Sequence, residues 1–147
     1  MDFTKIKANA DRLHFKYVER LGDDYAEFTM NHPNDAAPSF METLKDLKTD
    51  FAKLLDLSEE TSFIERIEIH TLSISYKGAE LNRSVIISGN IKCARGSFNV
   101  NTPLQALDNP DDTSVNVIFN QKIQKVINEA EKYLQGEKSQ LNMFYLN

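Results

Sequence analysis

At 147 residues, 41% hydrophobic and 27% charged, the chain has the size and composition of one globular domain with a real core, which excludes disordered and fibrous classes. A net charge of −5 argues against direct binding to nucleic-acid phosphates, and the basic residues are scattered among acidic ones, the pattern of a solvated mixed-charge surface. Cys93, the single cysteine, excludes an internal disulfide and a thiolate-rich metal site. With no apolar leader at Met1–Lys7 and no stretch of membrane-spanning length, the expectation is a cytoplasmic protein without membrane contact.

From Arg12 to Arg20, Leu13, Phe15 and Tyr17 alternate with polar residues, the pattern of a half-buried strand. Leu21-Gly22-Asp23-Asp24 is a turn signal, and Ala26, Phe28 and Met30 give the return strand of a hairpin. Asn31-His32-Pro33-Asn34-Asp35 ends it. Ser39 and Glu42 have the spacing of a capping box, in which each side chain satisfies a free N–H of the first helical turn. Phe40, Leu44, Leu47, Phe51, Leu54 and Leu55 then form one apolar stripe, predicting a helix from Ser39 to about Leu57. Ser58-Glu59-Glu60-Thr61 reads as a loop.

Ile67 and Ile69 are out of phase with Leu72, Ile74 and Tyr76, which predicts a β-bulge near His70-Thr71. Lys77-Gly78-Ala79-Glu80 turns the chain into a clean alternation of Val85, Ile87, Gly89, Ile91 and Cys93, and Ser97 to Asn101 can add a fifth strand. Val115, Val117 and Phe119 fit a strand or an early helix. Ile123, Val126, Ile127, Ala130, Tyr133 and Leu134 line a helix that Gly136 is placed to stop. The expected fold is α+β: an antiparallel sheet of four or five strands with two helices on one face, ordered hairpin, helix, hairpin, helix. Residues 1–136 form the domain and 137–147 a tail.

No catalytic constellation stands out, and the chain is expected to be no enzyme and to need no cofactor. His14, His32 and His70 lie in separate elements without a second ligand at metal spacing, though a bulge could re-aim His70. Asp23-Asp24 and the run from Asp108 to Asp112 read as acidic turns. No phosphate-cradling glycine pattern or Ser-centred elbow occurs. Cys93 ends an alternating strand on its apolar side, as a small buried hydrophobe would. Phe15, Tyr17, Tyr25, Phe28 and Tyr76 could stack nucleic-acid bases, but their parity with Leu13, Met30 and Ile74 is that of a core face.

After Gly136 and the spacer Glu137-Lys138-Ser139 comes Gln140-Leu141-Asn142-Met143-Phe144. This peptide resembles the bacterial sliding-clamp-binding motif, whose pattern is Gln, Leu, a small polar residue, Leu and Phe. The resemblance implies that Gln140 supplies an amide to a polar subsite, Leu141 a first anchor, and Met143 with Phe144 a pair entering a deeper pocket. Leu141, Phe144 and Tyr145 also fit helical spacing, so a helix continuing through Gly136 is the rival reading. The strands Ile67 to Tyr76 and Val85 to Ile91, then Asn101-Thr102-Pro103, Asn128 to Leu134 and Gly136 to Phe144, are similar to small phage and mobile-element proteins from replication or recombination regions. That resemblance implies a non-enzymatic accessory protein with the sliding clamp as partner. Two other readings stay open: a ligand-sequestering or anti-defence protein with a pocket between sheet and helices, and a single-strand-binding module with aromatics on an open sheet face.

Overall fold

The structure, a computed structural model, describes residues 1–9, 12–32, 37–108 and 116–145, with side chains described up to residue 136. β1 (Asp2–Asn9), β2 (Arg12–Leu21) and β3 (Asp24–His32) form an antiparallel meander. Leu21 pairs with Asp24 across a two-residue turn, where Gly22 takes a φ of 65° that a side chain would resist. Helices α1 (Pro38–Lys45), α2 (Lys48–Leu54) and the single turn α3 (Thr61–Ile64) lead to β4 (Ile67–Lys77). β5 (Asn82–Cys93), β6 (Gly96–Asn101), β7 (Gln105–Ala106) and the long α4 (Val117–Tyr145) complete the chain.

The sheet runs β3-β2-β1-β4-β5-β6, antiparallel throughout, with β7 pairing with β5 at Ser84 and Val85. The fold is α+β, with a wider sheet than the sequence predicts because β1 joins the two meanders. The bulge lies where expected, between Ile69 and Thr71. It keeps Ile67, Ile69, Leu72 and Ile74 all buried on one face. β6 forms at the predicted place. Thr102 then ties the following segment to β5: its N–H donates to the Ile87 carbonyl (2.9 Å) and its Oγ1 accepts the Ile87 N–H (3.0 Å).

The predicted single helix is two. α1 ends at Lys45, and the chain tightens at Asp46-Leu47, where the Leu47 N–H donates to the Leu44 carbonyl, before α2 begins. The tightening leaves Phe40, Leu44, Leu47 and Phe51 all buried. The capping box is absent. Ala37 is the N-cap, Pro38 takes a first-turn position that needs no N–H partner, and Ser39 Oγ instead donates to Glu129 Oε2 on α4 (3.1 Å). Asp56, at a φ of 55°, closes α2 with the Leu57 N–H reaching back to the Ala52 carbonyl.

One hydrophobic cluster joins the sheet to α1, α2 and α4. Its largest members include Phe3, Phe15, Phe40 and Phe51, with Phe15 and Phe40 edge to face. Phe51 of α2 comes so close to the sheet that a Cβ on Gly89 would lie 3.3 Å from its ring and 2.9 Å from the Glu68 carbonyl oxygen. α4 begins at Val117, resolving the strand-or-helix ambiguity in favour of helix, with Asn116 Oδ1 accepting the Phe119 N–H as a cap. Val115 lies outside the described residues. Lys122 anchors α4 to α2 through Asp50 (2.8 Å). No described helix covers the opposite face of the sheet.

Candidate functional site

α4 carries its core face through Phe119, Ile123, Val126, Ile127, Ala130 and Leu134, and Leu134 is the last described side chain of the helix in the core. Gln135 and Gly136 are exposed. The stop expected at Gly136 is not there: α4 runs through it to Tyr145. The reason is local. Nothing lies within 4 Å of a Cβ placed on Gly136, and its φ is not positive, so it is an ordinary helical residue and not a left-handed cap. The backbone of Gln140, Leu141, Met143 and Phe144 is therefore helical, and the side chains of these four residues lie outside the described part of the chain.

A hydrogen-bonded polar cluster joins β5, α4 and the segment after β7. Arg83 donates from Nε to Asp108 Oδ2 (2.6 Å), from Nη2 to Asp108 Oδ1 (2.9 Å) and from Nη1 to Gln124 Oε1 (3.1 Å). The same carboxylate accepts the Arg83 backbone N–H. These hydrogen bonds hold the Asp108 carboxyl below its ordinary range and keep Arg83 firmly charged. Tyr76, paired with Arg83 across the sheet, donates to the Phe3 carbonyl (2.7 Å). Burial, with the Asp2 carboxylate adding to it, pushes the Tyr76 phenol up to about 12. A phenol held neutral to that extent is no general base near neutrality, and Arg83 and Asp108 spend their bonding capacity on each other. The cluster joins structural elements.

A cleft of about 260 Å³ opens between α1 and β4. Buried Leu44 and Ile69 line it, with Lys45, Lys48 and Lys92 meeting Glu65 and Glu68. Mixed charge of this kind selects no single ligand sign.

Sequence reasoning placed His70 at the bulge, and the bulge does re-aim it. Its Nδ1 lies 2.7 Å from Thr71 Oγ1 and its Nε2 3.3 Å from Asn99 Oδ1, so the ring spans β5 to reach β6. His14 contacts Asn31 (2.6 Å). Among the described residues, no group of three or more His, Cys, Asp or Glu is arranged to hold a metal ion, and no helix is long and apolar enough to cross a membrane. Cys93 is exposed, contrary to its parity, because β5 leaves the core at its last two residues. Asp108 of the expected acidic turn is an ion-pair partner of Arg83, and residues 109–112 lie outside the described part.

The aromatics divide. Phe15 is buried, and Tyr17 and Tyr76 pack partly buried against the core. Phe28 stacks on Tyr17 at the same face (5.2 Å between centroids) but remains exposed, as does Tyr25. Among the described residues, the uncovered face presents no platform of stacked rings. Comparison of the chain with protein-family models, with curated proteins and with solved structures finds no match.

Proposed function

We propose that this is a non-enzymatic, phage-type accessory protein of DNA replication or recombination that docks on the bacterial sliding clamp through Gln140, Leu141, Met143 and Phe144. The observation that carries the reading is the match of this peptide to the clamp motif in a segment beyond Leu134, the last described core residue of α4. Met143 in place of the commoner Leu keeps volume and apolarity, so the pocket it would enter need not change.

Clamp grooves take such peptides extended, so docking requires the end of α4 to unwind. The end of α4 extends past Leu134, its last described core residue, and helix ends fray, so a partner groove can outcompete the helical form there at modest cost. The domain then acts as a body tethered to the clamp by α4.

Titration of the whole protein into purified bacterial sliding clamp tests this. Saturable binding is expected, weakened well beyond roughly 30-fold by Gln140→Ala with Phe144→Ala, since loss of a single anchor of about 2 kcal/mol already costs about 30-fold. Equal binding by the double variant, or no binding by the unaltered chain, overturns the reading.

A further inference from the structure

The face of the sheet turned away from the helices is mostly polar, with Val18 and Ile86 among its apolar members, and strand register shows how its residues line up. One row runs Asn31–His14–Lys7–Thr71–Ser88–Asn101 across β3, β2, β1, β4, β5 and β6. The next runs Thr29–Lys16–Lys5–Ser73–Ile86. Directly paired residues point to the same side, and the core residues Ile6, Phe15, Leu72 and Ile87 occupy the other. Lysines separated in sequence thus form a block on β1 and β2: Lys5 opposite Lys16, and Lys7 opposite His14.

Like charges directly opposite each other on adjacent strands oppose folding. Here they are also uncompensated, because none of Lys5, Lys7 and Lys16 makes an ion pair among the described residues. The carboxylates on this side are few. Glu27 stands beside Lys16 around a small depression, Asp2 is held by Arg20 (3.0 Å), and Glu68 faces Lys92 (3.8 Å). In a chain of net charge −5, this block is a local reversal of sign. Hydroxyl and amide side chains flank it on both sides: Thr29 and Asn31 on β3, with Asn31 Oδ1 already in contact with His14, and Ser73 on β4, whereas Thr71 is buried against His70.

Positive charge flanked by neutral donors and acceptors is the chemistry that grips phosphates and sugars without reading bases. Strand spacing makes the six-strand face about 24 Å wide, roughly twice a major groove, so the sheet cannot enter a duplex as a two-stranded ribbon does. A single strand laid across the face has no such obstacle. We infer that the uncovered sheet face binds single-stranded nucleic acid by its phosphate backbone, with Lys5, Lys7 and Lys16 as the phosphate-neutralising residues and the flanking Ser, Thr and Asn side chains as hydrogen-bonding partners. The binding is electrostatic, sequence-tolerant and weaker than that of a stacking platform, because among the described residues Tyr25 is the sole exposed aromatic on this side and lies at its edge. The inference is independent of the clamp peptide.

Anisotropy of a labelled oligothymidylate of about 16 nucleotides, titrated with the whole protein from low to moderate salt, provides the test. Three neutralised phosphates give a slope of log K against log salt of about −2 for a single strand. Lys5→Gln/Lys7→Gln/Lys16→Gln is expected to lower affinity at least tenfold and to flatten that slope. Lys53→Gln/Lys125→Gln/Lys132→Gln removes the same charge from the helices and is expected to leave binding within about twofold, which separates a local site from net charge. An equivalent oligouridylate distinguishes RNA from DNA as the preferred strand. The inference is overturned if the unaltered protein fails to bind at low salt, if the two triple variants bind alike, if duplex binds as tightly as single strand, or if phosphatidylserine vesicles bind and oligonucleotides do not.

Discussion

Arg83 and Asp108 form a half-buried, bidentate ion pair that holds β5, α4 and the segment after β7 in register. Because the Asp108 carboxyl is depressed in the folded state, its stabilisation is present above the unfolded value near 3.9 and is lost as pH falls through the lower folded value. Asp108→Asn is expected to cost about 1–2 kcal/mol at neutral pH in urea denaturation, with the gap to the unaltered protein closing below about pH 4. Tyr76 has the opposite sign. Its phenol is raised to about 12, so the stabilisation it confers is full below the unfolded value near 10 and disappears as pH rises through 12. Ultraviolet titration should show one tyrosine ionising near 12, and Tyr76→Phe should remove that step and the alkaline part of the stability loss.

Elements were legible in the sequence where one physical period held. β2, β3 and β5 alternate cleanly, and the phase slip in β4 betrayed its bulge. β1 escaped because its own bulge, between Phe3 and Lys5, sets the buried Phe3 and Ile6 three residues apart. The break after α1 escaped for the converse reason: Phe40, Leu44, Leu47 and Phe51 keep spacings that a continuous helix would also have. A glycine inside β5 carries a packing demand that period alone does not reveal. Gly89→Ala drives a methyl against the Glu68 carbonyl and the Phe51 ring, and a loss of about 1–3 kcal/mol is expected, read as a lower thermal midpoint. At the end of α4, Ser139→Pro should lower far-UV helicity while leaving clamp binding equal or stronger, since it removes helical competition ahead of Gln140. Loss of binding in this variant would mean that the helical form is the ligand.

On the scale of the whole molecule, the sheet separates two chemistries. One face is a continuous apolar core under α1, α2 and α4; the other gathers Lys5, Lys7, Lys16 and His14 beside rows of Ser, Thr and Asn. In sequence those lysines look scattered, and only pairing between β1 and β2 brings them together, so composition alone pointed to a mixed-charge surface. The peptide from Gln140 to Phe144 was legible from its residue types; the helical backbone that carries it was not, because Gly136 fits both a helix stop and a helix interior. Under the proposed function this peptide occupies the peptide groove of the clamp. Competition measures that most directly: a labelled Gln-Leu-Ser-Leu-Phe peptide bound to purified clamp is titrated with the whole protein. Full displacement by the unaltered chain is expected, and none by Gln140→Ala with Phe144→Ala; failure of the unaltered chain to displace the peptide would rule out docking at that groove.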